Sequence, residues 1–451
     1  MSSHDRLRQL GLFDARAPRY TSYPPANHFN DAVGPAQTSD WMSQVPSGSR
    51  VSLYLHIPYC RRLCWFCACR TQGTSTDRPL GKYLEYLKAE LALVDATLPA
   101  DVELSQIHLG GGTPTLLPPE MLEEIGEAIA KFRPRSADST FSVEIDPTEF
   151  DHARLDALIK IGMIRASIGV QDFDPVVQEC IGRIQSFEQT RDVVDMIRDA
   201  GVTSLNMDML YGLPHQTKAR MADSVQRVLS LSPDRVALYG YAHVPWMAKR
   251  QALIPSEALP DAEGRLVLFD TARRLFHWDG YREIGIDHYA REGDSLAEVD
   301  RTHTLRRNFQ GYTDDTADVL IGLGASAVSR YPQGFSQNHS TSSRYASAIT
   351  EGHLATARGY AMSDEDKLRS TMIEQLMCQF ELDFAALADE FDESVSSIRA
   401  RFDGLTDRFG GYVEIKGNRL RITQSARLIA RLVASELDTF KMPDGRHSRA
   451  L

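Results

Sequence analysis

What this sequence lacks narrows it before any motif is read. No run of about 18 apolar residues occurs and no apolar signal region follows Met1, so a membrane-inserted or exported chain is not expected and a cytoplasmic one is. Positive charge is in deficit: 50 Lys and Arg stand against 61 Asp and Glu, for a formal net charge of −11. That balance argues against a chain wrapped on nucleic acid or on an acidic bilayer. Cysteine is scarce, with six in 451 residues, and Cys180 and Cys378 stand alone in helical surroundings. No disulfide framework is implied, and those two read as core residues.

The other four, Cys60, Cys64, Cys67 and Cys69, crowd one short stretch directly after an apolar, β-branched and aromatic run at 51–57 and after Pro58. Thiolates at that density repel one another unless a soft cation neutralises them. An iron–sulfur cluster, a structural zinc and a redox pair all remain open from spacing. Zinc modules usually show two separated pairs or cysteines mixed with histidines. No second cysteine pair follows in this chain, which favours the cluster.

A chain of 451 residues has room for one core of about 300 residues and a smaller domain. Residues 1–50, rich in Pro, Ser, Asn and Gly, have one short helix candidate around 5–10 and no core of their own. They predict a strap across the main domain, anchored by Tyr20 and Tyr23. Strands are expected at 51–57, 104–109, 140–145, 165–170, 204–210 and 235–240, with amphipathic helices between them. One stripe is Leu80, Tyr83, Leu84, Leu87 and Leu91; another is Leu122, Ile125, Ile129 and Phe132; a later helix carries Met221, Val225 and Val228. Asp151 and the Ser186 to Gln189 pair read as helix starts. Six βα units with right-handed crossovers predict an α/β fold whose parallel sheet curls into a partial six-stranded (β/α)6 barrel.

Ligands bind at the carboxyl ends of strands in such sheets. The cysteines follow strand one. GGGTPT at 110–115 follows strand two, where consecutive glycines let backbone approach a ligand closely. Strand three ends in Glu144, strand four leads to Gln171 and strand five carries Asp208, and polar groups repeated at one end of a sheet are costly unless they bind something. Beyond 240 the pattern breaks into YAHVPW at 241–246, a helix at about 260–278, a short strand ending in Asp287 and His288, NFQGYT at 308–313 and IGLGASAV at 321–328. These pieces should complete the wall and lid of a cavity. Residues 363–442 read as three helices, a hairpin at 411–422 and a last helix, a winged-helix-like pattern. Its acidic first half, with Asp364, Glu365, Asp366, Glu374, Glu381 and Asp383, makes it a packing or lid domain rather than a DNA reader. The expected organisation is thus 1–50 strap, 51–360 barrel with its extension, and 361–451 mainly helical C-terminal domain.

Taken together, PRYTSYP at 18–24, YLHIPYCRRLCWFCAC at 54–69, HLGGGTPT at 108–115, SVEIDP at 142–147, IGVQDFD at 168–174, NMDMLYGLP at 206–214, YAHVPW, NFQGYT and GLGASAVS at 322–329 resemble one family over nearly the whole chain. It is the oxygen-independent coproporphyrinogen III oxidases of the radical S-adenosylmethionine superfamily, whose cluster motif is CxxxCxxC. The resemblance implies a radical-SAM barrel that removes CO2 from the ring A and B propionates of coproporphyrinogen III, giving protoporphyrinogen IX in haem biosynthesis. It implies one [4Fe-4S] cluster on Cys60, Cys64 and Cys67, its fourth iron open to S-adenosylmethionine, with Cys69 not a ligand but near the cofactor.

The resemblance also implies two S-adenosylmethionine molecules. The first would meet Tyr54, Gly111, Glu144 and Val328; the second would meet Phe66, Gly112, Thr113, Gln171, Arg183, Asp208 and Ala242. Tyr20, Cys69 and Gln310 are the catalytic candidates. A low-potential donor such as a flavodoxin or ferredoxin-like protein is the implied partner, and a monomer the implied state. This chain departs from the family pattern at Tyr59, Trp65, Ala68 and Asp314. A substrate with four carboxylates needs cations, for which Arg19, Arg306 and Arg307 are candidates. The alternative is a haem-binding chaperone of the same fold, a class that usually lacks the last cysteine and the PRYTSYP and NFQGYT elements.

Overall fold

The computed structural model describes residues 7–13, 15 and 17–440. Six strands lie side by side in chain order, β1 (Arg50–Ile57), β2 (Glu103–Gly111), β3 (Arg135–Ile145), β4 (Arg165–Gln171), β5 (Ser204–Tyr211) and β6 (Arg235–Gly240), and every neighbouring pair is parallel. The expected helical stripes are all buried, and Asp151 and Ser186 cap their helices by accepting from Arg154 N and Gln189 N. Each large side chain in such a stripe adds about 1.5–3 kcal/mol of burial.

The sheet is larger than six strands. Beyond β6 lie β7 (Arg282–Ile284) and β8 (His288–Ala290), paired antiparallel. On the other side of β1 comes β9 (Val319–Leu323), parallel to it with Leu53 opposite Ile321, followed by the antiparallel β10 (Val328–Tyr331), β11 (Gly334–Asn338) and β12 (Thr356–Ala361). The twelve strands run in the order β12-β11-β10-β9-β1-β2-β3-β4-β5-β6-β8-β7. The IGLG segment therefore belongs to the sheet itself. Its apolar residues Val319, Ile321 and Leu323 are buried like those of β1.

Alternation within the parallel strands decides what lies inside. In β4, Ala166, Ile168 and Val170 are buried while Arg165, Ser167, Gly169 and Gln171 are intermediate. Strands covered on both faces by apolar layers read as continuous hydrophobic runs; these read polar on every second residue, so their concave face is a polar lumen.

The N-terminal strap divides its loyalties. Val33, Trp41, Met42 and Val45 join the barrel core. Leu7, Leu12, Phe13, Tyr20 and Tyr23 instead join the core of the C-terminal domain. Tyr20 Oη donates to Asp438 Oδ2 at 3.0 Å, and Tyr23 Oη pairs with Thr439 Oγ1 at 3.1 Å. The tyrosines anchor the strap to that domain because their hydroxyls find partners there. The C-terminal region has helices at Asp364–Cys378, Phe384–Glu390, Val395–Ala400 and Leu405–Phe409 and the hairpin Val413–Lys416 with Arg419–Ile422. A third strand, Glu381–Asp383, joins that hairpin. The expected last helix is a 3-10 helix at Gln424–Ile429 running directly into an α-helix at Ala430–Ser435. Of the short helix expected around 5–10, positions 7–9 are helical, while Asp5 and Arg6 lie outside the described residues, as does 441–451.

One buried carboxylate locks the β9–β11 side to the first crossover helix. Glu90 accepts from Gly324 N, Asn338 Nδ2 and Tyr345 Oη, each at 2.7 Å. Glu90→Ala would strand three buried donors, and we expect a loss of about 3 kcal/mol; denaturant unfolding of the apoprotein measures it.

Candidate active site

The cysteine loop leaves β1 and is closed at its base by short parallel pairing of Tyr59 and Cys60 with Gln72 and Gly73. Next to it the glycine stretch makes close contact unavoidable. A Cβ on Gly112 would sit 2.5 Å from Tyr59 O and 2.9 Å from Ile57 O, and Gly112 N donates to Ile57 O at 2.8 Å. Gly111, at φ +115°, would place a Cβ 2.6 Å from the His56 ring. Only glycine lets β2 run this close to the loop.

Cys60, Cys64 and Cys67 are half-buried, while Cys69 is exposed to the cavity it lines. Arg183, deep in the protein, directs Nη1 to Cys64 Sγ at 3.6 Å and to Asp146 Oδ2 at 3.1 Å, and Nη2 to Gly169 O at 2.7 Å. Burial pushes the Cys60 thiol up to about 11 against its hydrogen bond with Thr113. Burial also raises Cys64, with Arg183 opposing it. The hydrogen bond with Cys69, helped by Arg250 and Arg183, brings Cys67 down to about 6. Among the described residues no three His, Cys, Asp or Glu side chains converge tightly enough for a single metal ion. Three neighbouring thiols, with Arg183 against Cys64 to offset thiolate charge, fit a polynuclear cluster in which each would meet its own iron.

Inside the curled sheet, reaching from Arg165, Ser204 and Arg235 at the starts of their strands to Gly111 and Glu144 at the ends of theirs, lies a cavity of about 670 Å³, within the range of small-molecule and cofactor sites. Tyr54, Cys69, Gly111, Glu144, Asp208, Gln310 and Val328 line it, all of them expected site residues. The two carboxylates are tuned oppositely. Burial would raise Glu144, but the hydrogen bond and charge of His108, at 3.3 Å, and the Gly111 N–H at 2.9 Å hold it below the ordinary carboxylate range. Burial lifts Asp208 to about 6, with the nearby Glu144 charge adding to it and the Asn206 amide, at 2.9 Å, opposing it. Tyr54 Oη pairs with His56 Nδ1 at 2.9 Å and its ring stacks on His108 at 5.7 Å.

The remaining expected residues lie elsewhere. Thr113 and Arg183 touch the cysteines, and Gln171 and Arg183 both crowd Gly169, with Gln171 Nε2 3.1 Å from where its Cβ would be. Phe66 and Ala242 are joined behind the loop by buried Gln251, whose Nε2 donates to both carbonyls at 2.7 and 3.1 Å. Gly112 packs on the loop backbone. Tyr20 does not line this cavity, because its hydroxyl is drawn to Asp438; its strap neighbours Arg19 and Thr21 do. Of the candidate cations, Arg306 turns away to Asp318 at 2.9 Å, whereas Arg307 is buried and lines the cavity. Asp314 lies on the floor with its oxygens committed to Arg165 Nη1 at 2.9 Å and Nη2 at 2.5 Å, to Gln106 Nε2 at 2.9 Å and to Ser295.

Sequence reasoning missed His56, His108, Gln251, Arg165, Arg235 and Tyr239. The polar alternation Gln106-His108 and Asn206-Asp208 was a usable signal for the lumen. Nothing local marked Gln251 or Tyr239.

A parallel half-barrel with a thiol loop at the end of its first strand is the architecture of the radical SAM superfamily, whose profile matches residues 54–228. The HemN C-terminal domain profile matches residues 362–429. The chain is 54% identical to the oxygen-independent coproporphyrinogen III oxidase of Paracoccus denitrificans, covering 100% of both chains. It is 35% identical to the protein of that name from Helicobacter pylori, covering 98% of each. A solved structure, described as coproporphyrinogen III oxidase (HemN) from Escherichia coli, superposes with a TM-score of 0.90 at 33% identity over 94% of this chain and 98% of that one. The chain belongs to the oxygen-independent coproporphyrinogen III oxidase family.

The raised Asp208 carboxyl has a direct readout. In the folded apoprotein it should bind its proton up to about pH 6, whereas an unfolded aspartate releases it near about 3.9. Infrared difference spectra of wild type against Asp208→Asn should show a carboxyl titrating near 6, and Glu144→Gln should lower that midpoint by removing a like charge.

Proposed function

We infer that this protein carries out the oxygen-independent oxidative decarboxylation of coproporphyrinogen III to protoporphyrinogen IX, turning the ring A and B propionates into vinyl groups. The observation that carries this reading is a cavity bounded both by Cys69 of the cysteine loop and by Phe309 and Gln310 of NFQGYT, in a chain that matches a member of this family over its whole length. When bound, a [4Fe-4S] cluster and S-adenosylmethionine together supply one-electron cleavage of the cofactor and removal of a hydrogen atom from the propionate. Carbon dioxide and one further electron then leave the substrate, the electron passing to an acceptor.

Cys60, Cys64 and Cys67 hold the cluster, and Arg183 offsets the thiolate charge. Tyr54, Gly111, Glu144 and Val328 hold the first S-adenosylmethionine; what supports this set is that all four line one cavity. Glu144, kept ionised by His108, accepts hydrogen bonds or an ammonium. The second cofactor set is Phe66, Gly112, Thr113, Gln171, Arg183, Asp208 and Ala242, with Asp208 as its group inside the cavity. Cys69 and Gln310 face the reacting propionate. Tyr20 is a positioning residue: by holding Asp438 it fixes the strap that presents Arg19 and Thr21. Closing the cavity matters, since the chemistry tolerates neither water nor misplacement of the target carbon.

The reductant is a low-potential flavodoxin or ferredoxin-like donor. Arg61 and Arg62 in the cysteine loop, with Lys249 and Arg250 on the segment that clamps it, make that region positive in a chain of net charge −11, which suits an acidic carrier. The enzyme works as a monomer in the cytoplasm. Among the described residues no helix is long and apolar enough to cross a membrane. The carrier alternative has no comparable support, because Cys69, the strap and NFQGYT all meet around the cavity or its strap.

Anaerobically reconstituted protein given coproporphyrinogen III, S-adenosylmethionine and a reductant should form protoporphyrinogen IX; haem transfer without that product would favour the carrier. Cys60→Ser, Cys64→Ser and Cys67→Ser should each lose the visible absorbance of the four-iron cluster. Cys69→Ser should keep it and lose turnover by about 100-fold. A cluster that survives all three ligand substitutions would remove this ligand assignment.

A further inference from the structure

Resting on that reading, the cavity wall away from the cysteines carries an arginine whose hydrogen-bonding capacity is not used. Arg307 lies on the short strand Arg306–Asn308, paired with Gly311–Thr313. Alternation sends its neighbour outward to Asp318, so Arg307 turns inward. Its side chain is 2% exposed, yet Nε and Nη1 have no hydrogen-bond partner. Nη2 is 3.8 Å from Asp287 Oδ2, too long for a hydrogen bond, while the other oxygen of Asp287 is engaged by His288 Nδ1 at 2.7 Å. The guanidinium lies 4.3 Å from the centroid of Tyr312, its cross-strand neighbour. Glu374 accepts from the Arg307 main-chain N–H at 3.1 Å and lies 3.9 Å from Arg330.

Arg19 reaches the same cavity from the strap, with Nη2 donating to Gly240 O at 2.5 Å and its guanidinium 6.0 Å from the Tyr239 ring centroid. The charge of Asp287 is thus felt by three guanidinium groups, those of Arg307, Arg19 and Arg431, of which Arg431 donates to the strap carbonyls of Ala17 and Pro18. A buried arginine with open donors is costly unless an anion completes it. Nε and Nη2 present parallel N–H groups, and with Nε unpartnered and Nη2 3.8 Å from Asp287 that edge matches the two oxygens of a carboxylate.

We propose that Arg307, backed by Arg19, is the receptor for a propionate carboxylate of the tetracarboxylate substrate, anchoring the macrocycle so that another propionate meets the cofactor. Arg307 then determines specificity by counting carboxylates and takes no part in bond breaking. The same fork could take the carboxylate of the methionine moiety, so the test separates the two sources.

Wild type, Arg307→Met, Arg307→Lys and the outward-facing Arg306→Gln are compared as cluster-loaded enzymes. Fluorescence titration with coproporphyrin III, the stable tetracarboxylate analogue, should show affinity reduced at least about tenfold in Arg307→Met and less in Arg307→Lys. Mesoporphyrin, with two carboxylates, should bind wild type and Arg307→Met with a smaller difference. S-adenosylmethionine affinity, cluster absorbance and Arg306→Gln should match wild type. With coproporphyrinogen III, KM should rise more than kcat falls. Equal coproporphyrin III affinity in wild type and both Arg307 variants overturns the proposal, as does a loss confined to S-adenosylmethionine. If Arg307→Met fails to fold, Arg307→Lys decides the matter by the same titration. Should wild type fail to convert the substrate, the functional reading falls, while the porphyrin titration still decides the role of Arg307.

Discussion

Asp314 is the interaction on which the rest of this structure leans. One buried carboxylate takes both nitrogens of the Arg165 fork from β4 and the Gln106 amide from β2. Ser295, which also receives Arg165 and Arg235 at 2.9 and 2.6 Å, completes it. Burial pushes Asp314 up, but the Arg165 hydrogen bonds and the charges of Arg165 and Arg235 overcome that and keep it far below the ordinary carboxylate range. Separating such a group from its partners costs about 3–5 kcal/mol. The network lies where an open, curled sheet would otherwise expose a polar floor, and it holds β2, β4 and β6 at the spacing the cavity above requires.

From that floor upward, the lumen becomes progressively more available for chemistry. Floor groups are saturated by one another. At mid-height Ser167 and Asn206 still serve a neighbour, donating toward Asp208. Higher up, Glu144 near the end of β3 and Asp208 in the second half of β5 share a cavity and diverge in protonation, because one has His108 and a backbone N–H and the other has a desolvated site beside a like charge. The wall opposite the cysteines carries Arg307 with donors to spare. A gradient from satisfied to unsatisfied polar groups separates scaffold from site more cleanly than residue type does.

The C-terminal domain and the strap form a second structural unit around that core. Tyr20 and Tyr23 were readable as anchors, since aromatic residues in a Pro-rich strap need a surface to pack on. Their partners, Asp438 and Thr439, lie some four hundred residues downstream, and no local pattern connects them. The same holds for Gln251, which joins Phe66 and Ala242 and so couples the cysteine loop to the end of β6.

The βα rhythm, the six parallel strands to within a few residues, the thiol loop, the glycine approach and the acidic residues Glu144 and Asp208 in the later halves of their strands were all legible in the chain before any folding. These depend on periodicity and on short-range spacing, which are local properties of the chain. It also carried, through motif resemblance, the family. Tertiary structure alone decided that 319–338 extends the sheet, that Asp314 belongs to the floor, that Tyr20 faces Asp438 rather than the cavity, and that Arg307 and Arg306, adjacent in sequence, differ completely in environment. The physical reason is that burial and pairing of a charged side chain depend on which distant strand comes alongside, and one residue of alternation reverses the answer.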